Sequence, residues 1–177
     1  MKTDIIIIDN QGKGFAEAVA HSEKAAVYAG LDKKNATRLS LLTQEMLCLA
    51  HSITGEMQAE FWIEKAGNQF ELHMTTQTVM DADKRAMLIS AASSRKNEAA
   101  KGLLGILRDK IEAAMVAQVD HSEAEQVPYE LMSDVANAVY EEPEWDGFER
   151  SVLLKLADDV KIAIRGNRVD IEVVKRF

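Results

Sequence analysis

Cysteine is almost absent from this chain: Cys48 is the only one in 177 residues, so no internal disulfide is possible. There is no CxxC pair and no Cys/His zinc spacing. Cys48 lies in an apolar stretch and is expected as a small buried side chain. His51 follows three residues later, but no third group that would orient a Cys–His nucleophile can be identified. Basic charge is also short. Lys and Arg number 21 against 29 Asp and Glu, a formal net charge of −8, and the cations are scattered. That excludes the basic stripe needed for non-specific nucleic-acid binding. Long apolar runs are lacking too. The opening "MKTDIIIIDN" holds four consecutive isoleucines, too few for a signal-peptide core or a membrane span. The expected location is therefore the cytoplasm, with no membrane partner. His21, His51, His73 and His121 show neither HxxxH nor HExxH spacing, so no metal ligand is assigned. "GKG" at 12–14 lacks the Walker A length and its following Ser/Thr, and reads as a turn.

What is present is an ordinary globular composition, 47% hydrophobic and 28% charged, without repeats, low-complexity tracts or linkers. Residues 1–177 are read as one domain. Ile5 to Ile8 suggest a short strand. "FAEAVAHSEKAAVYAG" reads as a helix stopped at Gly30, and Asp32 caps a second helix that continues to Gly55. "AEFWIEK" (59–65) and "QFELHMT" (69–75) alternate around "AGN", which predicts a hairpin with Phe61, Ile63, Phe70, Leu72 and Met74 on its apolar side. Residues 81–118 are helical in composition, with an interruption near "SSRKN". A polar loop spans 119–128, and 129–141 reads as another helix. "VKIAIR-GN-RVDIEV" is a two-residue hairpin. Pairing Arg165 with Arg168 sets Ile164 against Val169, Ile162 against Ile171 and Val160 against Val173, with Lys161 facing Glu172. Segregated strand and helix runs indicate an α+β two-layer sandwich, helices on one face of a mostly antiparallel sheet.

The chemically interesting residue is Glu45, inside "LSLLTQEMLCLAHSITG". With Leu42 at zero on a helical wheel, Leu49 falls near −20°, Met46 near +40° and Glu45 near −60°, within the apolar arc. Two readings stand. Glu45 is either a border residue whose tip reaches solvent, or a general base in a pocket between helix and sheet. "EEPEWDGFE" (141–149) has a similar pair of readings: a solvated loop pinned by Trp145, or a partner-docking patch with Trp145 and Phe148.

The order of elements, with "LTQEMLCLAHSITG" before a hairpin, resembles the histidine-kinase-like ATPase family, also called GHKL or the Bergerat fold. The small anti-sigma-factor serine kinases are the members it looks most like. In that family the helix carries E-x-x-x-N, a general base and a Mg²⁺ ligand one turn apart. Glu45 matches the base, but Leu49 stands at the Asn position. The resemblance places adenine recognition at Thr76, where the family has Asp. It places phosphate reception at a Gly-rich turn, where "AAKGLLGIL" keeps Gly102 but has Ala100 and Leu104 at the other two glycine positions. A leucine cannot ligate a hard cation, and a bulky side chain obstructs phosphate approach to backbone. The resemblance therefore implies a degenerate ATPase-like domain, acting as a regulatory module on another protein, with a homodimer left open. No cofactor is expected. The alternative is an active anti-sigma-type serine kinase using Glu45, ATP and Mg²⁺.

Overall fold

Alternating apolar residues make the strands of this protein, and two glycine-led turns set their register. The computed structural model describes residues 1–9, 11–54, 58–122 and 147–177. Its strands are β1 (Ile6–Ile8), β2 (Ala59–Ala66), β3 (Gln69–Gln77), β4 (Asp159–Arg165) and β5 (Arg168–Arg176). They form one antiparallel sheet in the order β1-β2-β3-β5-β4. The helices are α1 (Phe15–Tyr28), α2 (Lys33–Thr54), α3 (Ala82–Ala91), α4 (Gly102–Ser122) and α5 (Gly147–Leu156). The α+β class is as the sequence indicates.

Every pairing expected in the C-terminal hairpin is found, from Arg165 with Arg168 to Val160 with Val173, and Lys161 with Glu172. The first hairpin differs by one residue from its expected form. Ala66 belongs to β2 and pairs with Gln69, leaving only Gly67 and Asn68 as the turn. Gly67 and Gly166 both have positive φ, 59° and 58°, at the first central position. That is the glycine-first hairpin turn, whose twist matches that of its strands.

The apolar side of the sheet carries Phe61, Ile63, Phe70, Leu72, Met74, Ile162, Val169 and Ile171. It shares one core with Leu39, Leu42, Met46 and Leu49 of α2, Leu88 of α3 and Leu153 of α5. Side chains alternate across a strand, so Trp62, Glu64, Glu71, His73, Lys161, Asp170 and Glu172 point to the other side, where they are half-buried. Asp32 caps α2 as expected, accepting the Asn35 N–H at 2.7 Å. "GKG" is a turn. At Gly14, a Cβ would lie 2.3 Å from the Ile7 carbonyl oxygen, so only glycine lets α1 start this close to β1.

Two expectations are corrected. Cys48 is exposed, not buried. It sits about 100° from Leu49 around α2, at the border of the apolar arc. Helix α4 also runs on to Ser122, into the stretch read as loop from 119. The expected helix at 129–141 and Trp145 lie outside the described residues.

Asp158, between α5 and β4, ties this corner to β5. It accepts the Lys175 ammonium at 2.8 Å and the Arg176 N–H at 2.6 Å. Burial pushes its carboxyl up, but these hydrogen bonds and the neighbouring cations outweigh it and hold the carboxyl below its usual 3.8. A depressed folded value stabilises above the unfolded value and ceases to do so as pH falls through the folded one. Asp158→Asn should therefore lower stability at pH 7, by no more than about 1 kcal/mol given solvent screening. Denaturant titrations should show that difference shrink and vanish as pH falls through the depressed folded value. A difference that persisted unchanged in acid would refute the assignment.

Candidate functional site

The three residues singled out by the sequence lie on different elements. Glu45 is on α2, half-buried, and α2 packs against β3, the strand that carries Thr76. Gly102 opens α4, which packs instead against α3.

One turn beyond Glu45, Leu49 is 4% exposed and part of the core. Thr76 is buried on the helix-facing side of β3, opposite Ala59 and Val169. Its hydroxyl lies 3.0 Å from the Gln58 carbonyl and 3.2 Å from that of Gln77. Its proton is thus directed at backbone carbonyls, and a neutral hydroxyl stands where the resemblance calls for a carboxylate. Gly102 has φ +72°, a conformation favouring glycine at the start of α4. Leu104, two residues on, is 84% exposed.

Beside the first turns of α4 is a cavity of about 270 Å³ lined by Asn97, Leu104, Gly105, Arg108, Asp109 and Glu112. Two carboxylates therefore enter the space next to the turn at Gly102. Asp109 pairs with Arg85 and accepts the Asn97 amide at 2.5 Å. Glu112 accepts from Arg108 at 2.6 Å and from the Gly166 N–H at 3.2 Å. Burial raises the Glu112 carboxyl, but Arg108 and the Gly166 N–H together hold it below its usual value. Held low, Glu112 is anionic at neutral pH, and a carboxylate there is unsuited to receiving phosphate.

Asn97 was missed by sequence reasoning, which saw only an interruption at "SSRKN". It is buried, and its side chain acts as a length of strand. The amide donates to the Ile164 carbonyl at 2.9 Å, and its oxygen accepts the Ile164 N–H at 2.8 Å. With Ser93 on Val160 and Glu98 on Ile162, the segment after α3 covers the outer edge of β4.

Helix α4 docks with the opposite polarity from an ordinary surface helix. Asp109 and Glu112 face inward, whereas Leu104, Leu107, Ile111 and Met115 are each at least half exposed. Those four fall within an arc of about 80° on the helix, a continuous apolar row.

The face of the sheet away from the core holds a second set of groups. Residues 1–3 run along β2, which brings Lys2 to Glu64 at 2.9 Å. The Trp62 indole N–H also donates to Glu64 at 2.9 Å. These two hydrogen bonds, Lys2 first, hold the Glu64 carboxyl below its usual value. The His73 ring stacks on Trp62, centroids 5.0 Å apart. Further along, Lys161 meets Glu172 at 2.7 Å, which raises the lysine's pKa, and Asp170 accepts from Thr75, Arg165 and Arg168. Each of these cations faces a carboxylate, so the arrangement suits binding more than proton transfer. No protein-family model matches the chain, and no curated protein matches it significantly.

Proposed function

We propose that this chain is a histidine-kinase-like ATPase-type domain in which Mg-ATP turnover is lost, and that it acts as a regulatory module by binding another protein. The observation that carries this reading is Leu49. The position one turn after Glu45, where the resemblance requires an oxygen ligand for Mg²⁺, holds an alkyl side chain sealed in the core. Thr76, engaged with backbone carbonyls, and the carboxylates of Asp109 and Glu112 support it. The exposed apolar row on α4 supports the protein-binding half, since contiguous apolar surface of this kind marks interaction sites.

Thermal melting with and without millimolar Mg-ATP tests the proposal. A ligand at a hundred times its dissociation constant stabilises by about 2.7 kcal/mol. We expect no shift. A clear shift abolished by Glu45→Ala would replace this reading with the anti-sigma-type serine kinase, Glu45 being its base.

A further inference from the structure

Glu64 and Glu71 stand directly opposite one another on β2 and β3. Like charges so placed repel, and sheets ordinarily avoid the pairing. Beside them is His73, whose Nε2 is buried and has no hydrogen-bond partner among the described residues. That nitrogen lies 3.5 Å from Glu71 Oε2. One ligand atom from each of the three side chains lies within 4.8 Å of the other two.

We propose that Glu64, Glu71 and His73 form a site for a divalent cation of the zinc class on the open face of the sheet. Two donors about 2.1 Å from a tetrahedral metal are about 3.4 Å apart, which is the His73–Glu71 spacing. Two carboxylates neutralise the dication, and a cation between them turns their repulsion into attraction. The imidazole selects a first-row metal such as Zn²⁺ over Mg²⁺ or Ca²⁺, which take oxygen donors. Neighbouring groups orient the ligands. Trp62 stacks on the His73 ring, Lys2 and Trp62 hold Glu64 Oε1, and Gln69 donates to Glu71 Oε1. The two strands are locked by a two-residue turn, so the donors are already assembled. The Glu64 and Glu71 side chains are 41% and 29% exposed, which leaves room for water or a partner's side chain to complete the shell. This site does not depend on the nucleotide reading.

The test is titration of the metal-free full chain with Zn²⁺ by calorimetry, and with Co²⁺ by visible absorption. Wild type should take up one equivalent and melt at a higher temperature with zinc. His73→Gln and Glu71→Gln should each weaken uptake at least about tenfold, the lower bound even for outer-shell groups. Glu71→Gln has a second signature: without metal it should melt no lower than wild type, because a like-charge pair is gone. That separates loss of a ligand from loss of fold. The proposal is overturned if wild type shows no saturable one-to-one uptake. It is equally overturned if both variants bind zinc as wild type does, which would place the metal at other histidines.

Discussion

Leu49→Ala should lower the stability of the folded chain by about 2–5 kcal/mol, the usual cost of truncating a packed core leucine. Leu49 is 4% exposed and lies in the same cluster as Leu42, Met46, Phe61, Leu72 and Met74. Its removal loses the transfer free energy of the deleted carbons, and a cavity remains because a helix packed on a sheet relaxes only in part. Melting should fall by roughly 2–4 °C for each kcal/mol in a chain of this size. Leu49→Asn separates structure from the chemistry that the resemblance implies. It supplies the oxygen that the resemblance assigns to this position, but buries an amide among apolar neighbours, so it should cost at least as much as alanine. It should also confer no Mg-ATP stabilisation, because Thr76 is turned toward backbone and Asp109 and Glu112 line the adjoining cavity. Urea denaturation gives the first quantity and thermal shift the second. A loss below about 1 kcal/mol for Leu49→Ala would mean the site is not packed core.

What could be read from the sequence depended on how local the determining interactions are. The C-terminal hairpin was fully legible. A two-residue turn fixes the register, and the alternation of Val160, Ile162 and Ile164 against Val169, Ile171 and Val173 admits only one pairing. In the first hairpin, taking "AGN" as the loop conceals the pairing of Glu64 with Glu71. A three-residue connection would set Lys65 against Gln69, and the Glu–Glu–His cluster would never meet. The signal was there: period-2 burial of Phe61 and Ile63 against Phe70 and Leu72 requires the two-residue turn. Cys48 was less legible, because on the helical wheel it falls about 20° from Leu41, at the border of the apolar arc, where neighbouring elements decide exposure. The inward polar face of α4 was not legible. Its reason lies in Arg85, Asn97 and Gly166, contributed by three other parts of the chain. No local pattern announces such partners.

Asn97 is the strongest case of long-range determination, and Asn97→Ala should cost about 2–4 kcal/mol. The side chain pairs with both the N–H and the carbonyl of Ile164, 67 residues away, and its oxygen also accepts the Ala99 N–H. Alanine removes the donor and acceptor together, leaving two backbone groups of an edge strand unpaired in a buried position. Each orphan costs about 1–3 kcal/mol, offset in part by whatever water reaches it. Asn97→Asp is the sharper variant. It keeps an acceptor for the Ile164 and Ala99 N–H groups but cannot donate when ionised. It also places a second carboxylate beside Asp109 and the Ile164 carbonyl. At neutral pH it should therefore be no better tolerated than alanine. Burial and the nearby Asp109 charge raise the new carboxyl in the folded state. Its penalty should thus shrink as pH falls and a proton restores the donor. Amide exchange supplies the residue-level check. The Ile164 N–H should lose protection in Asn97→Ala while Ile171, in mid-strand on β5, keeps it. If Ile164 stays protected and stability falls by less than about 1 kcal/mol, the edge of β4 does not depend on this side chain. The docking of α4 through Asp109 would then need another anchor.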